Sequence, residues 1–337
     1  MSRRLSGFKP TGHLHLGNLL GAIQPTVASQ SGPSTPPAGS APAGTADSVV
    51  LIADLHALTV EHDPARVRAL TLEVAALLLA AGVDPDRGLF YVQSHVPEHT
   101  ELHYLLECAT SYGEAHRMIQ FREKAADRPH VRLSLLTYPT LMAADILLHD
   151  ADEVPVGADQ TQHVELARDI AHRFNARYGP TFTLPRAVSP GFAGRIRELS
   201  DPTAKMGKTN DHDAGVLFLL DPPEVLRRKV SRAVTDAGRM VRYDPVGQPG
   251  LANLLDILAG CGDDDPHMLA ARFSSYRELK EAVADRVVAM VEPIQARYAD
   301  LCRDPGAVGE ILRAGARRAR VQVQPRVRAA RARLGLL

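Results

Sequence analysis

Residues 48–54 read Ser-Val-Val-Leu-Ile-Ala-Asp, a continuous apolar run that stops at an acidic residue. Such a run is typical of a parallel strand that is buried on both faces. Residues 64–81 then read as a helix closed by Gly82, and residues 88–93 as the next strand. Strand, helix and strand in alternation predict an α/β fold with a Rossmann-like, doubly wound parallel sheet. Ligands of such sheets bind at the carboxyl ends of the strands.

The pattern continues on both sides of this stretch. Residues 5–8 predict a first strand, and residues 16–27 predict the helix that follows it. Residues 31–46 contain only Gly, Pro, Ser, Thr and Ala, so we expect a flexible surface insertion there. After residue 202 the strand patterns stop and residues 222–233, 251–258 and 276–298 read as helices. The expected organisation is a catalytic domain over 1–200, a smaller α-helical domain over 201–300 and a basic helical segment over 301–337.

Composition narrows the class of protein. The 337 residues are 45% hydrophobic and 23% charged with a formal net charge of zero, which excludes the global basic field of a general nucleic-acid binder. The three cysteines, Cys108, Cys261 and Cys302, are far apart, which argues against a zinc knuckle or a disulfide framework. No apolar run approaches the ~18 residues needed to span a bilayer, and the first residues lack a signal-peptide core. We therefore expect a cytoplasmic protein without a membrane partner.

Two short glycine-containing segments suit the two ends of a bound nucleoside triphosphate. Residues 12–18 read Gly-His-Leu-His-Leu-Gly-Asn where a strand should turn into a helix, so the backbone can approach a phosphate closely. Residues 205–209 read Lys-Met-Gly-Lys-Thr and hold two lysines on a loop, which can bring positive charge to phosphates in a transition state. The alternative is that such a lysine pair is solvated.

Residues 138–148 suggest the second substrate. Tyr138, Met142 and Asp145 fall at i, i+4 and i+7 on one helical face, and Pro139 suits a first helical turn. A tyrosine, a methionine and a carboxylate on one stripe can form a flat slot with one hydrogen-bond acceptor, which suits an indole ring. Tyrosine and methionine at this spacing also occur in ordinary cores. Asp145 favours the slot, because an unpaired carboxylate on an apolar face is costly to bury.

These segments together carry a resemblance to a known family. Residues 15–18 and 205–209 resemble the HIGH and KMSKS elements of class I aminoacyl-tRNA synthetases, although neither is a literal copy. Residues 138–148 and 154–160 (Val-Pro-Val-Gly-Ala-Asp-Gln) resemble the tryptophan-specific members in particular, and the likeness covers nearly the whole chain except 31–46. It implies that ATP and L-tryptophan form tryptophanyl-adenylate, and that the acyl group then passes to tRNA(Trp). The alternatives are a diverged paralogue that acts as a partner protein and a tyrosine-specific relative, which shares the fold.

The resemblance also implies roles for individual residues. The expected catalytic residues are Asn18, Lys124, Lys205 and Lys208. The expected ATP-binding residues are Lys9, Pro10, Thr11, Gly17, Asn18, Gly157, Ala158, Asp159, Ile196, Lys205, Met206, Gly207, Lys208 and Thr209. The expected tryptophan-binding residues are Leu5, Gly7, Tyr138, Met142, Asp145, Val154, Val156 and Gln160. Mg²⁺ is expected on the ATP phosphates, and no metal site made by protein ligands is expected. Lys9 and Ala158 depart from the family pattern, in which glutamine and an acidic residue are usual.

Partners follow from the same resemblance. Anticodon bases are expected near the α-helical domain, and a homodimer is expected through residues near 88–125. The segment 312–333 is rich in arginine and either contacts tRNA phosphates or is a solvated helix. Its eight arginines are Arg313, Arg317, Arg318, Arg320, Arg326, Arg328, Arg331 and Arg333.

Overall fold

A computed structural model of the chain describes residues 2–31, 47–126, 130–189, 196–207, 213–238, 240–262 and 264–337. Its centre is a five-stranded sheet formed by β1 (Arg4–Phe8), β2 (Ser48–Ile52), β3 (Leu89–Val92), β4 (Glu153–Pro155) and β5 (Arg186–Val188). Every pair of neighbouring strands is parallel, and the order across the sheet is β3-β2-β1-β4-β5. The predicted doubly wound parallel sheet is therefore confirmed.

The order of the strands locates the ligand crevice. The chain builds β1, β2 and β3 in one direction across the sheet, and then returns to place β4 on the other side of β1. In doubly wound folds, ligands bind outside the carboxyl ends of the strands where the order reverses. That point lies here between β1 and β4.

Helices surround the sheet. They are α1 (Leu16–Asn18), α2 (Gln24–Gln30), α3 (Pro64–Ala80), α4 (Glu98–Glu107), α5 (Tyr112–Arg117), α6 (Ile119–Ala125), α7 (Leu133–Leu148), α8 (Thr161–Tyr178), α9 (Pro223–Ser231), α10 (Pro249–Gly260), α11 (Pro266–Ala270), α12 (Tyr276–Cys302) and α13 (Pro305–Arg333). A π-helix over Leu19–Ile23 joins α1 to α2. Short 3-10 helices cover Leu55–Thr59, Gln93–His95, Ala158–Gln160 and Asp213–Gly215. Within the residues described, no helix is long and apolar enough to cross a membrane.

Most predicted elements are present within a few residues of their expected bounds, but the start of α7 was predicted wrongly. Pro139 was placed in the first helical turn, whereas α7 begins at Leu133 and Pro139 lies inside it. Proline lacks an N–H, so the helix forgoes one backbone bond there but still accommodates the ring. Of the predicted insertion 31–46, only Ser31 is described, and the remaining residues lie outside the described parts of the chain.

The core has two hydrophobic clusters, one on each face of the sheet. One contains Val50 and Ile52 of β2 and reaches Val287 of α12, so it continues across the predicted boundary at residue 200. The other contains Val49 and Leu51 of β2 together with residues of α7 and α8. Alternate residues of β2 thus face opposite clusters, as the period of two in a strand requires. The domain boundaries at 200 and 300 stay predictions.

The last helix, α13, lies along β3. A Cβ atom added to Gly315 would lie 1.8 Å from the carbonyl oxygen of Phe90, so the two backbones are nearly in contact. Four of the eight arginines of the basic segment also bind residues of the part of the chain that forms and surrounds the sheet. They are Arg318 on the Pro85 carbonyl, Arg320 on Glu98, Arg326 on Asp150 and Arg331 on Glu101. These four arginines therefore help to hold α13 against the sheet. Whether the segment also contacts tRNA stays a prediction.

Candidate active site

A cavity of about 320 Å³ lies in the crevice between the carboxyl ends of β1 and β4. It is lined by all eight residues that the sequence assigned to tryptophan, which are Leu5, Gly7, Tyr138, Met142, Asp145, Val154, Val156 and Gln160. Lys9, Lys124 and Gly157, which were assigned to ATP or to catalysis, line it as well. The structure thus gathers residues from β1, α6, α7 and the loop after β4 around one space.

Asp145 is buried at the end of the predicted stripe on α7, and it is not unpaired. Its Oδ1 accepts hydrogen bonds from Gln93 Nε2 and His99 Nδ1, both at 2.7 Å, and its Oδ2 accepts one from His56 Nε2 at 2.9 Å. The expectation of an unpaired carboxylate at this position is therefore wrong. Burial acts to raise the pKa of Asp145, but the bonds and charges of His56 and His99 outweigh it and hold the pKa below its usual range.

His56 is a cavity-lining residue that the sequence reasoning missed. It lies on the 3-10 helix directly after β2, and its ring stands edge-on to Tyr138 with the ring centres 6.3 Å apart. Its position just beyond the carboxyl end of a predicted buried strand was the signal that pointed to it, because ligand-binding side chains of parallel sheets gather there.

The hydroxyl of Tyr138 lies between two polar side chains. It donates to Gln120 Oε1 at 3.2 Å and lies 2.7 Å from His163 Nε2. Lys9 Nζ and Lys124 Nζ lie 5.9 Å and 5.4 Å from the centre of its ring, within the range of cation–π attraction. This end of the cavity is therefore positively charged, which suits an anionic group of a substrate.

His163 is the second polar partner of the Tyr138 hydroxyl. Its side chain is buried, and burial, followed by the charges of Lys124 and His56, lowers its pKa to about 4. Among the described residues, no partner lies within hydrogen-bonding distance of its Nδ1. A neutral imidazole is thus expected to hold the Tyr138 hydroxyl at physiological pH.

The loop after β4 meets the second glycine-containing segment. Lys205 Nζ lies 3.2 Å from Asp159 Oδ1, and Gln160 and Gln120 also donate to this carboxylate. Burial acts to raise the pKa of Asp159, but the bonds from Gln160 and Lys205 and the Lys205 charge lower it overall. Met206 is buried beside them. Lys208 and Thr209 lie outside the described residues, as does the side chain of Ala158.

Gln120 was not assigned a role from the sequence, but it connects both substrate regions. Its Nε2 donates to the Asp159 carbonyl at 3.0 Å, and its Oε1 accepts from Lys124 Nζ at 3.0 Å and from the Tyr138 hydroxyl. One amide thus links residues assigned to tryptophan, to ATP and to catalysis.

The first glycine-containing segment is held by Asn18 and Gly17. Asn18 Oδ1 accepts from the His15 backbone N–H at 3.1 Å, which caps the start of α1. A Cβ atom at Gly17 would lie 3.1 Å from the His15 ring and 3.8 Å from Ile196 Cβ, so only glycine fits without displacing the ring. Ile196 is buried against this turn, and Pro10 is buried while Thr11 is exposed.

No metal centre is apparent among the described residues, since none of their His, Cys, Asp and Glu side chains form a group of three or more that would hold an ion. Among the described residues of the site, the lysines are Lys9 just after β1, Lys124 on α6 and Lys205 on a loop.

Comparisons with known proteins show which family the whole chain is similar to. Residues 1–292 match the family described as tRNA synthetases class I (W and Y). The chain is 54% identical to tryptophan–tRNA ligase 1 of Streptomyces avermitilis, over 100% of this chain and 99% of that protein. Its structure is similar to that of tryptophanyl-tRNA synthetase from Mycoplasma pneumoniae, with a TM-score of 0.89, 34% identity, and coverage of 100% and 98% of the two chains. It is also similar to the Campylobacter jejuni enzyme solved with ADP and tryptophan, with a TM-score of 0.79, 31% identity, and coverage of 99% and 100%.

Proposed function

The chain belongs to the family of class I tRNA synthetases for tryptophan and tyrosine, and we propose that its cavity binds the L-tryptophan that it activates with ATP and transfers to tRNA(Trp). The observation that carries the assignment of the site is the cavity at the switch point of the sheet, lined at once by an apolar wall and by one buried carboxylate. The reaction class follows from the family and from the relatives named above.

Asp145 is the proposed hydrogen-bond acceptor for the indole N–H of tryptophan. Leu5, Val154 and Val156 supply apolar surface, and Met142 adds a polarisable thioether that packs well against aromatic rings. Asp145 Oδ1 already accepts two hydrogen bonds, whereas Oδ2 accepts one. A carboxylate has about four acceptor positions in all, so Oδ2 retains one for the single N–H of indole. Such a site rejects analogues that lack the donor strongly.

ATP is the proposed occupant of the adjoining space between the two glycine-containing segments. The Campylobacter jejuni relative was solved with ADP and tryptophan, which supports a site for a nucleotide as well as one for the amino acid. In this proposal Asp159 accepts a ribose hydroxyl, and Lys124 and Lys205, with Lys208, place positive charge on the phosphates. Mg²⁺ enters with ATP through those phosphates, whose charge it neutralises.

The chemistry requires positioning rather than a covalent enzyme intermediate. The tryptophan carboxylate attacks the α-phosphorus in line, the bond to the bridging oxygen breaks, and pyrophosphate leaves. A ribose hydroxyl at the tRNA 3′ end then attacks the acyl carbonyl, and AMP leaves. The lysines gain most when negative charge builds on the departing pyrophosphate, so their contribution falls mainly on the transition state.

A homodimer is the proposed assembly, and its interface is proposed near residues 88–125. Three large side chains of this stretch are exposed, namely Tyr104 at 65%, Tyr112 at 70% and Ile119 at 57%. Exposed aromatic and aliphatic side chains suit a protein interface. The cytoplasm, where tRNA is charged, is the proposed location.

The decisive experiment measures pyrophosphate exchange with tryptophan, tyrosine and phenylalanine, followed by aminoacylation of tRNA(Trp). Exchange that depends on tryptophan, together with formation of tryptophanyl-tRNA, is the expected result. Exchange with tyrosine instead would favour the tyrosine-specific alternative. A folded protein that binds neither ATP nor tryptophan would favour the partner-protein alternative, and both outcomes would overturn the proposal.

A further inference from the structure

A chain of buried hydrogen bonds leads from Asp145 away from the cavity. Asp145 Oδ1 lies 2.7 Å from His99 Nδ1, and the Tyr91 hydroxyl lies 2.8 Å from His99 Nε2. The same hydroxyl lies 2.6 Å from His149 Nε2. Tyr91 and His99 are fully buried, and His149 is 1% exposed. Four polar side chains thus form one continuous chain in the interior.

Three separate elements supply this chain. Tyr91 lies on β3, His99 on the first turn of α4, and His149 is the C-cap of α7, the helix that carries Asp145. Interiors rarely hold so many polar groups unless each is hydrogen-bonded, because an unpaired one costs about 1–3 kcal/mol. The arrangement therefore fixes how these elements meet beneath the cavity.

The contacts of the Tyr91 hydroxyl determine which group donates and which accepts in each hydrogen bond of the chain. Tyr91 has a single hydroxyl proton but faces two imidazole nitrogens, so one imidazole must accept and the other must donate. His99 donates from Nδ1 to the Asp145 carboxylate, which leaves its Nε2 free to accept the Tyr91 proton. The Tyr91 oxygen then accepts from His149 Nε2.

The far end of the chain agrees with this order. Among the described residues, no partner lies within hydrogen-bonding distance of His149 Nδ1, as expected for a bare acceptor rather than an N–H group. Burial lowers the pKa of His149 well below its usual value and raises that of Tyr91. Both residues therefore stay neutral, and each proton points towards Asp145.

We propose that His99, Tyr91 and His149 are positioning residues for tryptophan selection, which polarise a chain of hydrogen bonds towards Asp145 Oδ1 and leave Oδ2 to read the indole N–H. The inference depends on the proposed function of the cavity. Hydrogen bonds in a chain strengthen one another, so the chain stabilises the buried negative charge without a lysine or arginine in it. With Gln93 on the same oxygen, Oδ1 is saturated and cannot rotate towards the substrate without losing both bonds.

The test compares tryptophan with β-(3-benzothienyl)alanine, an isostere whose sulfur replaces the indole N–H. In Tyr91→Phe the ring remains and only the hydroxyl is lost. We expect the ratio of kcat/KM for tryptophan to that for the isostere, measured by pyrophosphate exchange, to fall about tenfold, as the loss of one buried hydrogen bond implies. The KM for ATP should not change. A purely structural role would lower both amino-acid values equally.

Tyr243→Phe is the matched control. Its hydroxyl donates to the buried Asp256 at 2.9 Å, so it loses the same kind of bond, but it packs against the other hydrophobic cluster. The ratio should stay at the wild-type value. A ratio that falls equally in Tyr91→Phe and in the control would overturn the inference, as would an unchanged ratio in Tyr91→Phe.

His149 offers a second, independent variant. His149→Gln keeps an N–H donor at similar reach, whereas His149→Leu removes it, so the ratio should be retained in the first and fall in the second. Equal ratios in the two would also overturn the inference. Wild-type protein and Asp145→Asn separate this idea from the proposed function. If the wild type itself does not distinguish the isostere, the cavity assignment fails, whereas if only Asp145→Asn loses discrimination, the positioning role alone fails.

Discussion

The ammonium of Lys205 lies 3.2 Å from a carboxylate oxygen of Asp159, which joins the loop after β4 to the second glycine-containing segment. The lysine is expected at the ATP phosphates and the aspartate at the ribose, so each must exchange this partner for the nucleotide. Both side chains are more than half exposed, and such a pair contributes only about 0–1 kcal/mol. ATP therefore meets little resistance when it separates them.

Lys205→Ala should lower kcat for pyrophosphate exchange by about 10²–10³, and it should change the KM for ATP much less. The physical reason is that charge builds on the departing pyrophosphate only in the transition state. Arg277→Ala is the control, because it also removes one cation of an exposed pair, here with Glu281 at 2.8 Å, and should leave the kinetics unchanged. If ATP affinity falls as much as kcat, Lys205 is a ground-state binding residue. The same result is expected for Lys208→Ala, from the sequence alone.

Asp145→Asn should abolish discrimination between tryptophan and phenylalanine while ATP binding changes little. The amide is similar in shape, but one of its two oxygens becomes an N–H₂ donor. It will then face donors from His56, His99 or Gln93. Pyrophosphate exchange with tryptophan, tyrosine and phenylalanine measures the change. Intact discrimination in the variant would place the tryptophan site elsewhere.

Local patterns were enough to predict the first three of the five strands, whereas β4, β5 and the pairing inside the site were not predicted. Apolar runs such as residues 48–53 determine where buried strands form, and the i, i+4 and i+7 spacing put Tyr138, Met142 and Asp145 on one face. Both depend only on neighbours along the chain. The donors to Asp145 come from His56 and His99, which lie on other elements, so their approach depends on how those elements pack.

Apart from Tyr138, Met142 and Asp145, the cavity residues were assigned from the family resemblance rather than from periodicity. Nothing in the residues themselves relates Leu5 to Val154, which meet only because β4 returns beside β1. At Pro139 a local preference gave a wrong prediction, because proline often occupies the first turn of a helix but here lies inside one. Its preference for a first turn was outweighed by the helix-forming residues from Leu133 onward, so α7 starts six residues before Pro139.

Deletion of residues 33–44 should leave adenylate formation nearly unchanged. The deleted residues are Gly, Pro, Ser, Thr and Ala alone, and they lie outside the described residues. Loop length has a small effect on stability, about 0.6 kcal/mol for each doubling, so a shorter connection between α2 and β2 should be tolerated. Pyrophosphate exchange and thermal unfolding of the deletion variant measure the effect. A large loss of exchange in a variant that folds normally would assign the insertion a function.

His163 should make stability depend on pH between about 6.5 and 4. Its pKa is lowered from 6.5 to about 4 in the folded chain, so in this window the unfolded chain binds a proton that the folded chain does not. The contribution of His163 is therefore complete above pH 6.5 and is lost as the pH falls, by about 1.4 kcal/mol per pH unit.

Urea unfolding at several pH values tests this dependence on His163. His163→Gln keeps a polar partner for Tyr138 but cannot be protonated, so its free energy of unfolding should fall less steeply than that of the wild type. His172→Gln is the control, since His172 lies exposed on the same helix and should leave the wild-type slope unchanged. Equal slopes for wild type and His163→Gln would show that this imidazole is protonated equally in both states.

Gly315→Ala should destabilise the protein by about 3 kcal/mol or more, although alanine normally favours a helix. The added Cβ atom would lie 1.8 Å from the Phe90 carbonyl oxygen, and neither backbone can move without separating α13 from β3. Gly309→Ala on the same helix is the matched control. Its Cβ atom would meet only the flexible end of Arg313 at 3.2 Å, so the higher helix propensity of alanine should leave stability unchanged or raise it by up to about 1 kcal/mol. Urea unfolding of both variants measures the difference, and equal stability of the two variants would mean that α13 is not held against the strand.

The same pair of variants should also differ in tryptophan binding. Because β3 also carries Tyr91, Gly315→Ala should impair tryptophan binding more than Gly309→Ala does.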